Sequence, residues 1–327
     1  MGKLFRAVVV EEKENRYDIT VKDRDLDSLP QGDLLIRVYY SSINYKDALS
    51  CTGNKGVTKN YPHTPGIDAA GVVEESNCED FKKGDEVIVI GFDLGMNTSG
   101  GFAEYIRVPA SWVVRRPENL TLRESMIYGT AGVTAALCVD KLISYGISKE
   151  NGKIAVSGAT GGVGLFSVAI LHKLGFTVSA ITGKISETEY LKSFGANEVI
   201  PRSDFEQQSP KALLKPQFAA AIDTLGGEVL VNIIKSINYS GAVAACGMAF
   251  SPNINLTVFP FILRGVSLLG VDSVEIKKHD IINKIAVIYK LENLDRFATE
   301  ITLFDIPEAV NNILKGNARG RYLVKVS

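Results

Sequence analysis

The sequence has no surplus of charge of either sign. Its 36 basic and 37 acidic residues leave a formal net charge of -1 at pH 7 over 327 residues. A basic field able to hold nucleic acid or an anionic membrane is missing, so neither is expected as a partner. Any anionic ligand has to be gripped by local features. Cysteine is sparse as well: Cys51, Cys78, Cys138 and Cys246 stand far apart, with no Cys-x-x-Cys pair and no His at ligand spacing. Neither a disulfide framework nor a structural zinc site is expected from them, and buried free thiols are. Long apolar runs are missing too, since stretches such as Phe218 to Ile222 are far too short to cross a bilayer. The N-terminal Met1-Gly2-Lys3-Leu4-Phe5-Arg6 runs straight into Ala7-Val8-Val9-Val10 without the apolar core of a signal peptide. Arg6 also stands where a myristoylation signal wants Ser or Thr. A cytoplasmic protein is the expectation. No internal repeat, heptad pattern or low-complexity tract appears.

What is present is ordinary globular composition, 46% hydrophobic and 22% charged. The chain is long enough that two hydrophobic cores are expected. Residues 1–127 read as β-rich, with runs at Leu34 to Val38, Ala69 to Val73 and Glu86 to Ile90. Turn signals at Leu29 to Asp33, Lys82 to Asp85 and Thr98 to Gly101 separate them, which suggests an antiparallel barrel or sandwich. Over 128–291 the rhythm changes to strand, helix, strand, helix. Ile154 to Ser157, Phe176 to Ile181, Val199-Ile200, Ala219 to Ile222, Ala242 to Ala245 and Leu268 to Val271 supply strands. Helices are expected over Val163 to Lys173, closed by Gly175, and over roughly 187–194, closed by Gly195. Such alternation predicts a doubly wound parallel sheet with helices on both faces. The final strand-like Arg321 to Val326 predicts a return to the first domain, completed by about 292–327.

The most specific motif is Gly158-Ala159-Thr160-Gly161-Gly162-Val163-Gly164, between a buried strand and a helix, with a second strand about a dozen residues on. Gly158 permits the tight turn. Gly161 lets the backbone approach a pyrophosphate, and Gly164 lets the helix pack on the strand, while the helix N-terminus offers unpaired N–H groups. The spacing G-x-x-G-x-x-G departs slightly from the strict dinucleotide fingerprint. At the end of the second strand an NAD site would place Asp or Glu on the ribose 2′-hydroxyl. Here Thr182-Gly183-Lys184 stands instead, with a hydroxyl and a cation suited to a 2′-phosphate, and Arg202 is placed to close the same pocket. Solvated surface charge is the other reading of each cation. The missing carboxylate favours NADP as cofactor.

Further residues carry a family resemblance. Asn44-Tyr45-Lys46-Asp47-Ala48-Leu49, Pro65-Gly66-Ile67-Asp68-Ala69-Ala70-Gly71, Gly129-Thr130-Ala131-Gly132, Pro260 to Arg264 and Gly270-Val271-Asp272-Ser273 resemble the medium-chain dehydrogenase/reductase superfamily. The resemblance is to its zinc-free quinone oxidoreductase branch, in the YhdH/YhfP-type subgroup related to acryloyl-coenzyme A reductase, and it spans essentially the whole chain. It implies a Rossmann domain beside a β-rich GroES-like catalytic domain. It also implies that Tyr45 lies beside the nicotinamide, Thr160, Gly161, Gly162 and Val163 around the pyrophosphate, and Thr182, Gly183, Lys184 and Arg202 on the 2′-phosphate. Met248, Ile262 and Ser273 match positions lining the nicotinamide half, and Asn317 matches a C-terminal contact; on their own, Met248 and Ile262 read as core. Zinc enzymes of the superfamily carry a catalytic Cys and His, whereas Asp47 stands near the Cys position and Ile67 replaces the His, so no metal is expected. His63 is expected to be structural.

Without a metal, polarising the acceptor falls to hydrogen bonds. Hydride transfer from NADPH to an electron-poor carbon is expected, with Asn44, Tyr45 and Asp68 near the chemistry. Asp68 equally reads as a structural acid, and Asp47 as a brace of its loop. The acceptor expected is an acryloyl-CoA-like enoyl thioester. A quinone is the alternative within enzymes, and an NADPH-binding sensor the alternative outside them. Lys46, Lys55 and Lys59 are candidate cations for coenzyme A, with solvated surface charge the favoured reading of all three. The apolar segment Phe259 to Val271 contains a strand that, as the resemblance implies, pairs across the two-fold of a homodimer; a central strand without a partner is the other reading.

Overall fold

The protein is described here by a computed structural model covering residues 3–14 and 16–327; Met1 and Gly2, where the myristoylation question lay, and Asn15 fall outside the described residues. Along the chain come β1 (Leu4–Lys13), β2 (Arg16–Asp25), β3 (Leu34–Ile43), α1 (Tyr45–Cys51), β4 (Asp68–Ser76), β5 (Glu86–Ile90), β6 (Tyr105–Val108) and β7 (Val113–Arg115). There follow α2 (Leu122–Tyr145), β8 (Ile154–Ser157), α3 (Gly162–Lys173), β9 (Val178–Thr182), α4 (Thr188–Ser193), β10 (Glu198–Pro201) and α5 (Ser203–Glu206). The chain continues with β11 (Phe218–Asp223), α6 (Gly227–Lys235), β12 (Ile237–Ala245), α7 (Phe259–Arg264) and β13 (Ser267–Gly270). It closes with α8 (His279–Val287), β14 (Ala298–Thr302), α9 (Ile306–Leu314) and β15 (Arg321–Lys325).

Two compact units result, one running to Thr130 and resuming at Val274, the other Ala131–Ser273. The first carries a seven-stranded sheet in the order β14-β15-β3-β4-β5-β7, with β6 also paired to β3, and a separate β1-β2 hairpin. Its core is the alternating inward face of these strands, including Val8, Leu34, Ile36, Val38, Val87, Val89, Ile106 and Val324. The register explains where polar groups meet. β3 runs antiparallel to both β4 and β15, with Tyr40 opposite Ala70 and Ile43 opposite Tyr322. The C-terminal end of β3 is therefore flanked by the first residues of β4 and β15, Asp68 and Arg321.

The second unit holds six parallel strands in the order β10-β9-β8-β11-β12-β13. In order of appearance that is 3-2-1-4-5-6, the doubly wound dinucleotide-binding topology, whose direction reverses between β8 and β11. Gly164 to Leu171 of α3 are all buried, so this helix is apolar all round.

By contacts the second unit ends at Ser273, whereas the sequence reading carries that domain to 291. Residues 274–291, expected there, belong to the first unit, because hydrogen bonds hold them to it. Val274 O accepts the Phe92 amide at 3.0 Å, and the Leu291 amide donates to the Tyr128 hydroxyl at 2.7 Å. Lys278 Nζ also sits 3.8 Å from the centre of the Phe92 ring. The expectation of uniformly short apolar stretches also needs correction. By length and composition α2 could cross a membrane, but 72% of its most apolar window is buried, as in a core helix, and its geometry breaks at Gly129 (φ 47°, ψ -156°).

Candidate functional site

In the first unit the polar groups at the strand ends form one buried network. Asp68 is fully buried. Its Oδ2 accepts from Ser42 Oγ at 2.6 Å, Asn44 Nδ2 at 2.7 Å and the Thr130 amide at 2.9 Å, and Oδ1 accepts from Thr130 Oγ1 at 2.5 Å. Arg321 is also buried and lies 3.5 Å from Asp68. It donates through Nη1 to Ile43 O at 2.9 Å and Asn44 Oδ1 at 2.8 Å, and through Nη2 to Ser42 Oγ at 2.7 Å. Asn44 is thereby fixed at both ends of its carboxamide. It occupies the N-cap position of α1, and Asp47 accepts its amide through Oδ2 at 2.7 Å and the Ile67 amide through Oδ1 at 2.9 Å. Burial and the neighbouring Asp68 charge push the Asp47 carboxyl up to about 7, against the pull of these two amides. Burial lowers Arg321 from the ordinary arginine range.

Gly129 makes this packing possible. Its φ is +47°, and a Cβ there would fall 2.4 Å from Ser42 Oγ and 2.6 Å from both Arg321 Nη2 and Asp68 Oδ2. Directly beyond Asn44, Tyr45 is 46% exposed, so this corner of the unit joins a locked carboxamide to a phenol open to solvent.

In the second unit the glycine loop leads into α3, whose first turn has no side-chain cap and so presents amides without intrahelical acceptors. A Cβ on Gly164 would lie 2.3 Å from Gly158 O, so only glycine permits helix and loop to approach this closely. Thr160, Gly161, Gly162 and Val163 sit at this turn. At the neighbouring strand end, buried Thr182 accepts the Lys184 amide through Oγ1 at 3.0 Å, and its own carbonyl accepts the Arg202 amide at 2.8 Å. Arg202 lies over Gly183, where an added Cβ would be 3.1 Å from Cζ. Glu206 holds its Nε, and the Phe250 ring centre is 5.4 Å away. The structure thus joins residues 160–163, 182–184 and 202 at one end of the parallel sheet, and Arg202 is a pinned cation rather than a free surface charge. A glycine-floored cradle lined with amides and cations, with no acid at the strand end, fits a dinucleotide bearing a 2′-phosphate.

Other expectations change. Met248 and Ile262, which read as core, are 62% and 67% exposed. Ser273 Oγ accepts from Thr134 Oγ1 at 2.8 Å. Asn317 is exposed and belongs to the first unit. Lys55 pairs with Glu12 at 2.7 Å and lies over the Tyr17 and Tyr61 rings. Among the described residues Lys46 contacts Met96 Sδ, at 3.9 Å, and Lys59 is exposed. His63 is buried with Nε2 2.9 Å from Gly95 O, a structural role. Cys51 and Cys138 are buried, but Cys78 and Cys246 are only partly so. Arg321 escaped sequence reasoning, because an Arg opening a strand resembles a solvated charge and only the β3–β15 pairing reveals its partners.

Comparison with known proteins now places the chain. Residues 30–118 match the Alcohol dehydrogenase GroES-like domain, and residues 162–288 match the Zinc-binding dehydrogenase family. YhfP of Bacillus subtilis is 42% identical over 100% of both chains, and Acrylyl-CoA reductase AcuI of Ruegeria pomeroyi is 38% identical over 99% of this chain and 100% of its own. The chain belongs to the medium-chain dehydrogenase/reductase superfamily, in its YhfP/AcuI group. At 42% identity it is a relative of YhfP, not the same protein. The YhdH oxidoreductase of Salmonella enterica, crystallised in complex with NADP, superposes with a TM-score of 0.95 at 41% identity, covering 98% of this chain and 100% of that one. YhfP itself was crystallised with NAD bound. The zinc named by the second family does not fit the residues here: both oxygens of Asp47 are taken by backbone amides, and Ile67 has no donor atom.

Proposed function

We propose that the chain is an NADPH-dependent reductase that adds hydride to the β-carbon of an acryloyl-type thioester and a proton to its α-carbon. The observation that carries this reading is the Asn44 carboxamide. Arg321 fixes its Oδ1, Asp68 and Asp47 both draw on its Nδ2, and the carboxamide is held next to the exposed Tyr45. When bound, NADPH supplies the hydride. Asn44 donates to the thioester oxygen as negative charge develops there, and Tyr45 donates a hydrogen bond or the proton. Asp68 and Arg321 hold Asn44 and do not themselves touch substrate, which moves Asp68 from the catalytic to the positioning role. Thr160 to Val163 seat the pyrophosphate, and Thr182 to Lys184 with Arg202 bind the 2′-phosphate. Met248, Ile262, Ser273 and Asn317 remain proposed nicotinamide-side contacts, for which the exposure of Met248 and Ile262 leaves room.

The test is NADPH oxidation scanned over acryloyl-CoA, short enones and quinones, with NADH as control. Preference for the thioester with NADPH supports the reading. Preference for quinones transfers it to an NADPH:quinone reductase, and no turnover with any acceptor makes the chain an NADPH-binding sensor. Lys46 is the cation retained for coenzyme A, so Lys46→Met should raise KM for acryloyl-CoA and spare its N-acetylcysteamine analogue.

A homodimer is also proposed. Among the described residues β13 pairs with β12 alone and ends the sheet, and α7, just before it in the chain, exposes Phe259 and Leu263; an apolar rim along an open strand edge favours pairing. Light scattering giving the mass of one chain would remove it. A cytoplasmic location goes with a reaction that draws on cellular NADPH, and fractionation checks it.

A further inference from the structure

The sheet of the second unit reverses direction between β8 and β11, and there a buried acid takes no part in the proposed reaction. The register sets Ile222 beside Val156, so the next residues, Asp223 and Ser157, close the two strands side by side. Asp223 is fully buried. Its Oδ1 accepts from Ser157 Oγ at 2.6 Å and its Oδ2 from the Gly226 amide at 2.8 Å. Ser157 Oγ in turn accepts the Thr224 amide, and Ser157 O accepts Thr224 Oγ1, both at 3.0 Å. Two hydrogen bonds therefore tie Ser157, the last residue before the glycine loop, to Thr224 directly, and two more link it to Gly226 through the Asp223 carboxylate. The loop rests on that turn, since a Cβ on Gly158 would lie 2.3 Å from Thr224 Oγ1.

Among the described residues Asp223 has no ion-pair partner, and burying such a group is costly unless its acceptors are needed. Only a carboxylate offers two acceptors pointing opposite ways, one toward each side of the crevice. Asparagine of the same shape would turn a donor toward one of the two donors already there. We propose that Asp223 is a positioning residue for the dinucleotide, clamping the crevice between β8 and β11 so that the glycine loop keeps the geometry of a pyrophosphate seat. The inference rests on reading that loop as the cofactor's seat.

It is tested by measuring NADPH affinity by fluorescence and 2′-AMP affinity by competition, since 2′-AMP carries the 2′-phosphate but no pyrophosphate. Wild type, Asp223→Asn and Ser157→Ala are compared, each with its thermal midpoint. Asp223→Asn should weaken NADPH by roughly tenfold, the size of one lost buried hydrogen bond, and leave 2′-AMP within about twofold. Ser157→Ala, the milder change should Asp223→Asn fail to fold, should show the same split to a smaller degree. Equal weakening of both ligands, or of neither, overturns the inference. Wild type that binds neither ligand overturns the cofactor reading itself and the inference with it.

Discussion

The two units solve opposite problems with polar groups. In the first, Asp68, Arg321, Asn44, Ser42 and Thr130 bond one another in a buried network in which, among the described residues, Arg321 Nε alone finds no partner, and Tyr45 is the exposed member of the corner. In the second, the cradle is built largely from backbone, with glycines removing bulk and a helix terminus left uncapped. A densely bonded buried network holds one geometry at a high cost if broken. A backbone cradle tolerates side-chain change and draws its selectivity from a few cations at its rim. Substitutions within the first unit's network should therefore cost stability and turnover together, and those of the cations at the second unit's rim should change cofactor choice alone.

The largest expected effect is Arg321→Met. It leaves the Asp68 carboxylate buried without its cation, a loss of about 3–5 kcal/mol in folding stability, measured by urea denaturation. Gly129→Ala should be comparable, since the left-handed backbone and three close polar atoms oppose any Cβ. A loss below about 1 kcal/mol in both would show that the network is looser than its distances imply.

Next comes the pH dependence. The folded carboxyl of Asp47 is raised to about 7, above the ordinary unfolded value, so its stabilising contribution is complete below about pH 4 and is lost as pH rises through about 7. Stability should fall by roughly 1 kcal/mol per pH unit between pH 5 and 7, and Asp47→Asn should flatten that slope. An unchanged slope in the variant would assign the titration elsewhere.

Tyr45→Phe follows. Turnover should drop by roughly 100-fold if the phenol moves a proton or binds the enolate, with NADPH affinity unchanged within a few-fold. Unchanged single-turnover rates would remove Tyr45 from the chemistry and leave Asn44 to act alone.

These contrasts also explain what the sequence made legible. The glycine loop is local: seven consecutive residues between a strand and a helix carry their own explanation, and the 3-2-1-4-5-6 sheet follows from the alternation around them. The first unit's network is not local. Ser42, Asp68, Thr130 and Arg321 come from four separated segments, and only strand pairing makes them neighbours. Asn44 and Tyr45 were found through a motif, but no spacing announced Arg321. Met248 and Ile262 were misread alone because apolar residues predict burial, and at a ligand-binding edge they can face outward instead.

The smallest effect should separate the two cations at the cradle's rim. Arg202 is held by Glu206 and lies beside Phe250 and over Gly183, so its guanidinium meets a 2′-phosphate already oriented. Lys184 is half-buried at the head of the 3₁₀ turn that follows β9 and offers a point charge rather than a planar fork. Arg202→Ala should therefore weaken NADPH by roughly tenfold and Lys184→Ala by less, with NADH affinity unchanged in both, because each acts as a charge-assisted contact at a partly solvated site. Arg202→Lys should recover little of the loss, since a point charge cannot replace the planar fork. Equal loss of NADH affinity would mean that Arg202 braces the end of β9 and does not read the phosphate. The second unit would then resemble the first, with its selectivity resting on packing.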